Sequence, residues 1–178
     1  VNAASRSAPV AERDLVEDEV IGLFDRFRKP LLHYLAGFGL AYSEGEDLIQ
    51  EVFLALFQHL HRDKSRENLP GWLYRVAHNL ALKRRQRLQR ECAGFPEASS
   101  VDPGPTPEEA LMDDQARARM LAVVQALNEQ DRRCLFLRAE GLRYRQIASV
   151  LEISIGSVSA SLARSLSRIA RASERERP

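Results

Sequence analysis

The chain of 178 residues has only two cysteines, Cys92 and Cys134, and they are far apart with no CxxC spacing. A disulfide framework or a cysteine zinc site is thereby excluded as the organising feature, and a reducing cytoplasm is the expected setting. The four histidines, His33, His59, His61 and His78, show no metal-ligand pattern. His59 and His61, two apart, would point away from each other on a helix. There is no nucleophile–base pair and no phosphate-binding glycine loop, so neither an enzyme, a cofactor nor a metal site is expected. No apolar run approaches the ~20 residues of a membrane span, and no basic segment followed by an apolar one opens the chain as a leader. Sustained alternation of apolar and polar residues is also missing, so no sheet is expected.

What the chain does have is charge, 26 basic against 25 acidic residues, strongly segregated. Lys83, Arg84, Arg85, Arg87 and Arg90 crowd together, and Arg164, Arg168, Arg171, Arg175 and Arg177 collect near the C-terminus. Acids gather instead in 12–19, 44–51 and 108–114. Two basic patches on a nearly neutral chain fit two separate contacts with a polyanion. Each run taken singly reads first as a solvated helix face.

The apolar periodicity predicts an all-α protein of two small helical domains joined by a flexible linker. Residues 1–12 are small and polar and are expected to be disordered. The first domain spans 13–92. It opens with one helix or two, with Val20, Leu23, Phe24, Phe27, Leu31 and Leu35 as the core stripe and Pro30 as a point of kinking or division. Ser43 and Glu46 form a capping-box pair. The helix that follows buries Leu48, Ile49, Val52, Phe53, Leu56, Phe57 and Leu60 and turns Asp47, Gln50, Glu51, Leu54 and Gln58 outward. A polar loop, 61–68, leads to a third helix from Pro70. Trp72, Leu73, Val76 and Leu80 are expected to face the core and Tyr74 to be exposed. Residues 93–107 hold two glycines and four prolines and read as the linker. The second domain, 108–178, begins at a Thr106–Pro107–Glu109 cap signal.

Within it, Tyr144–Leu162 reads YRQIASVLEISIGSVSASL. Ile147, Ala148 and Leu151 share one face of a short segment. Val158, Leu162, Leu166 and Ile169 follow a helical period in the next, and Ser154 stands where an N-cap is wanted. That is the pattern of a helix-turn-helix, whose second helix enters the DNA major groove; an ordinary helical hairpin would share part of it.

Taken together, EDLIQEVFLALFQHL and LPGWLYRVAHNLALKRR in 46–85, and LNEQDRRCLFLRAEGLRYRQIASVLEISIGSVSASL in 127–162, resemble a bacterial extracytoplasmic-function sigma factor of the sigma-70 superfamily. The resemblance implies a non-catalytic subunit that gives core RNA polymerase its promoter specificity. On that basis the outward face of the Glu46–Leu60 helix, with Asp47, Gln50, Glu51 and Leu54, docks on the clamp helices of the largest polymerase subunit, and the second domain meets the flap. The third helix and its preceding loop read and melt the −10 element through Arg62, Asn68, Asn79, Lys83, Arg84, Arg85 and Arg87. Basic side chains there hold phosphates and Asn79 offers both a donor and an acceptor to a base edge. The second domain binds the −35 element through Arg143, Arg145, Ser154, Ser157, Ser159, Ala160, Ser161, Arg164 and Arg168. An anti-sigma factor is the further partner that the resemblance implies.

Two departures from the family pattern stand out. Glu152 occupies a turn position where glycine is usual, and a left-handed backbone there costs Glu roughly 1 kcal/mol. The recognition helix carries Ser159, Ala160 and Ser161 where basic residues are usual, and serine does not discriminate among bases as arginine does. Either the −35 element is read through DNA shape, or this domain binds weakly and the first domain or a partner dominates. The alternative function is a stand-alone helix-turn-helix regulator. It requires a receiver or ligand domain, and the first ninety or so residues show no parallel-strand pattern that would supply one.

Overall fold

The computed structural model describes residues 8–62, 64–91 and 114–174. They form helices α1 (Ala8–Ala36), α2 (Tyr42–His61), α3 (Leu69–Glu91), α4 (Asp114–Gln125), α5 (Glu129–Ala139), α6 (Tyr144–Leu151) and α7 (Ile155–Glu174), with no strand among the described residues. The chain divides into two compact units, Val1–Val101 and Asp102–Pro178. The boundary falls within the stretch expected as a linker. That stretch, 93–107, and the Thr106–Pro107–Glu109 signal lie outside the described residues, as do residues 1–7.

In the first unit α1 packs on α2 and α3, and α2 on α3. Phe27, Leu31, Tyr34 and Leu35 of α1 meet Leu48, Ile49, Val52, Phe53, Leu56 and Leu60 of α2 and Leu73, Tyr74, Ala77 and Ala81 of α3, all buried. Aromatic edges bind the layers: Phe24 meets Phe53 at 4.9 Å, and Tyr34 meets Tyr74 at 5.5 Å, both edge-to-face. Buried His78 shares a 2.8 Å hydrogen bond with the Tyr34 hydroxyl.

Three expectations change here. Helix α1 already starts at Ala8 and runs through Pro30, so residues 8–12 are helical rather than disordered. Pro9 lies in the first turn, where a missing N–H costs nothing. The cap of α2 is Ala41, not Ser43: the Ala41 N–H donates to the Glu44 carboxylate at 3.1 Å. Glu46 is drawn away to Arg28 and to the Tyr42 hydroxyl. The buried face of α3 is also rotated from the one expected. Tyr74 is fully buried, whereas Trp72, Val76 and Leu80 are only half-buried. Leu69, Leu73, Ala77 and Ala81 recur every fourth residue and define the core line. The large Trp and Val drew the expectation one residue off the small alanines that pack closest.

The second unit is built on α7, against which α4, α5 and α6 pack. Its core is small: Leu127, Cys134, Leu137, Leu142, Ile147, Val150, Val158 and Leu162. Two helix ends use the same closure. After α5, Leu142 N–H bonds Leu137 O at 3.1 Å and Gly141 N–H bonds Arg138 O at 3.0 Å, with Gly141 at φ 86°. After α6, Ile153 N–H reaches Ala148 O at 3.1 Å across Glu152, whose φ of 56° is also left-handed. The turn keeps the standard geometry, and Glu152 bears its cost.

Candidate nucleic-acid interface

The start of α3 is fixed by an interlocked pair. Asn68 has a left-handed backbone, φ 56°, which asparagine tolerates better than most residues. Its side-chain oxygen accepts the Gly71 N–H at 3.3 Å, and its carbonyl accepts from Trp72 at 3.0 Å. A Cβ at Gly71 would overlap the Asn68 carboxamide. Asn68, expected as a DNA contact, is thus engaged as a helix cap.

Beyond the cap, the rotated core face leaves Trp72, Val76, Asn79 and Lys83 in line along the outer side of α3. Trp72, Val76 and Asn79 are half-buried and Lys83 is exposed. Arg75, Gln86 and Arg90 extend this surface, all exposed. It combines an indole, an amide and cations, the groups that stack on bases, read base edges and hold phosphates. Arg87 is exposed and pairs with Glu91 at 2.7 Å, which raises the Arg87 pKa.

Arg84 and Arg85 differ. They continue the core side of α3 past the last alanine and turn inward. Arg84 bridges two carboxylates of α2, Glu44 at 3.8 Å and Glu51 at 3.6 Å. Arg85 lies 6.0 Å from the Phe38 ring. Their expected place among the outward phosphate contacts is corrected: helical periodicity sends them toward the unit's own acids and aromatics. On α2, Asp47, Gln50, Glu51 and Leu54 are all exposed, Leu54 at 59%. This is a continuous acidic face with one apolar residue. The Arg62 side chain is exposed at the end of α2.

In the second unit, Ser154 caps α7 and accepts the Ser157 N–H at 3.0 Å, while the two hydroxyls share a 2.9 Å bond. The outward face of α7 is Gly156, Ser159, Ala160, Ala163, Ser167 and Arg171, all exposed. No charged residue precedes Arg164 on α7, and Arg164 and Arg168 are exposed as well. Arg143 and Arg145 are exposed at the start of α6, where the Arg143 N–H donates to Gln146 at 2.6 Å.

Ser161 does not belong to this surface. It is fully buried, accepting from Gln130 at 3.1 Å and from Arg164 at 3.2 Å. Position 161 falls three residues after buried Val158 and one before buried Leu162, on the inner side of the helix. Arg164 is pinned beside it. Its Nε and Nη2 donate to the two oxygens of Asp131 at 3.1 and 2.7 Å, a bidentate geometry. Asp131 is 2% exposed. It also accepts from Asn128 at 2.9 Å, and its own N–H donates back to Asn128 at 2.8 Å, capping α5. The Arg164 guanidinium holds the Asp131 carboxyl below its ordinary value, with help from Ser161 and Asn128 and against the cost of burial. Burial pushes the neighbouring Cys134 thiol up. Arg168 donates to Ala126 O at 3.1 Å near the end of α4. The expectation that Ser161 faces outward is corrected accordingly; Arg164 and Arg168 remain exposed while their guanidinium groups bond Asp131 and Ala126 O.

Residues 23–91 match the family model for sigma-70 region 2, and residues 117–169 match that for sigma-70 region 4. Over 129 residues the chain is 34% identical to the probable RNA polymerase sigma factor RfaY of Xanthomonas campestris, covering 68% of this chain and 32% of that protein. Over 121 residues it is 31% identical to the ECF RNA polymerase sigma factor SigE of Mycolicibacterium smegmatis, covering 65% of this chain and 46% of that one. The chain belongs to the extracytoplasmic-function branch of the sigma-70 family. It spans a third to a half of the length of those two relatives. The sigma factor RpoE from Bartonella quintana, solved with the anti-sigma factor NepR, shares the fold at a TM-score of 0.68 and 20% identity, over 89% of this chain and 99% of that one.

Region 2 thus takes in the second half of α1 with α2 and α3, and region 4 runs from α4 into α7. The acidic face of α2 and the outer stripe of α3 both lie in region 2. Trp72, like Val76, is a residue of that stripe that sequence reasoning assigned to the core. A four-residue count from Leu69 rather than from the tryptophan would have found it. Among the described residues no His/Cys/Asp/Glu group could hold a metal ion, and no single helix is long and apolar enough to cross a membrane.

Proposed function

We propose that the chain binds core RNA polymerase and directs promoter-specific initiation, reading and melting the −10 element with region 2 and binding the −35 element with region 4. The observation that carries this is the division of region 2 into two unlike surfaces. α2 offers acids and one exposed leucine, suited to a protein partner with basic residues. α3 offers an indole, an amide and cations, suited to a strand being unstacked.

Asp47, Gln50, Glu51 and Leu54 form the polymerase face. Asn79 and Lys83, with Arg62 and Arg87, form the −10 contact, joined by Trp72. In region 4, Arg143 and Arg145 meet phosphates and position the domain. Ser159 and Ala160 let α7 approach the groove closely with little direct discrimination among bases, so that DNA shape carries the −35 preference. The chain acts without catalysis, in the cytoplasm, and is held in check by an anti-sigma partner.

Reconstitution with core polymerase tests the reading. A stable complex giving run-off transcripts only from matched promoters is expected. No complex, or a complex with no promoter dependence, overturns it.

A further inference from the structure

The loop between α2 and α3 is tied down by contacts from all three helices of its unit. The His59 imidazole, on the last turn of α2, donates through Nε2–H to the Ser65 carbonyl at 2.9 Å; a carbonyl has no proton to give, so the imidazole is the donor. The same ring lies 4.7 Å from the Trp72 ring on α3. Arg66 pairs with Glu19 of α1 at 3.1 Å. Asn68 caps α3, and the Ser65 hydroxyl accepts the Glu67 N–H at 3.1 Å. His59 is the only one of these groups that touches both the middle of the loop and the half-buried indole on the outer face of α3.

We infer that His59 is a positioning residue for −10 readout: by holding the Ser65 carbonyl and the Trp72 ring together, it fixes the loop and the indole in one arrangement before DNA arrives. The inference rests on the proposed reading of α3 and its preceding loop as the −10 contact. A loop of exposed polar residues with no such ties samples many conformations, and ordering it on binding would consume part of the discrimination between bases. Arg66–Glu19 is exposed and tethers weakly. The imidazole bond to a backbone carbonyl fixes direction as well as distance, because the donor is a rigid ring.

The test uses two substitutions in the full chain, reconstituted with core polymerase. His59→Phe keeps a ring against Trp72 and removes the donor, while His59→Gln keeps a donor at nearly the same reach. The readout is the ratio of open-complex formation on a matched promoter to that on promoters altered one base at a time across the −10 element. His59→Phe is expected to reduce that ratio about fivefold at the position the loop reads, the equivalent of one net hydrogen bond. His59→Gln should restore most of it, and affinity for core polymerase should be the same in all three proteins. In the free chain, amide exchange at residues 64–68 should quicken in His59→Phe and not in His59→Gln. Unchanged discrimination in His59→Phe overturns the inference, as does equal loss in both variants. If the unsubstituted holoenzyme shows no −10 preference at all, the promoter reading itself fails. The exchange measurement then still decides whether His59 anchors the loop.

Discussion

α3 and α7 look alike as sequence. Each is an amphipathic helix that runs into arginines, and each falls in a segment that the family associates with DNA. The structure uses them differently. On α3 the large first-unit core is complete by Ala81. Beyond it Lys83, Arg87 and Arg90 point outward, and only Arg84 and Arg85 turn back to Glu44, Glu51 and Phe38. On α7 the apolar core is smaller, and a polar cluster completes it. Asp131, Ser161 and Ser165 are buried, and Arg164 and Arg168 are bonded to α5 and to the end of α4. A small domain that cannot bury enough apolar area must recruit polar groups to fix its helices, and every such group must then be satisfied. The arginines that complete this network, though still exposed, have partners within the unit. The first turns of α7, by contrast with α3, expose no charge, and its exposed Arg164 and Arg168 are also engaged within the unit.

Removing the centre of the polar cluster should have the largest effect. Asp131→Ala strips Arg164, Ser161 and Asn128 of their common acceptor and is expected to cost the second unit about 2 kcal/mol. In urea titrations of the full chain followed by amide exchange, the loss should be confined to 114–174. The same group makes a pH prediction. Asp131 titrates lower folded than unfolded, so its contribution is fully present above about pH 4. That contribution is lost as pH falls through the folded-state value. Asp131→Asn should lack this part of the acid slope.

Charge reversal on the other unit comes next. Asp47→Arg with Glu51→Arg leaves the core of α2 untouched and should weaken polymerase binding about tenfold, mainly through the association rate. The unfolding midpoint should barely move. Equal affinity in a competition assay would remove α2 from the polymerase interface. A smaller effect of opposite sign belongs to Glu152. Glu152→Gly relieves a left-handed backbone and should stabilise the second unit by about 1 kcal/mol, seen as a higher midpoint with unchanged denaturant slope.

The fold was legible in the sequence wherever apolar residues were large and regularly spaced. The α2 stripe from Leu48 to Leu60, the cap at Ser154 and the turn at Glu152 all lie where the sequence puts them. The outward placing of Asp47, Gln50, Glu51 and Leu54 followed from that same stripe. The misreadings on α3 and α7 share one physical cause, an assumption that size marks the core and charge marks the surface. On α3 the closest packing is made by Ala77 and Ala81, so Trp72 and Tyr74 exchanged places. On α7 the buried line includes Ser161 and Ser165, so a serine was read as a DNA contact and Arg164 as free. No local pattern shows that Asp131, thirty-three residues earlier, waits for Arg164. The cap at Ala41 was missed because alanine offers no side-chain acceptor, and only the Glu44 half of the box is used.

The contrast between the two helices is tested most directly by the salt dependence of promoter binding in the reconstituted holoenzyme. Lys83→Ala and Arg164→Ala each remove one cation. If Lys83 neutralises a phosphate and Arg164 serves Asp131, the slope of log affinity against log salt should become shallower by about one unit for Lys83→Ala and stay unchanged for Arg164→Ala. A shallower slope for Arg164→Ala, with none for Lys83→Ala, would contradict the account.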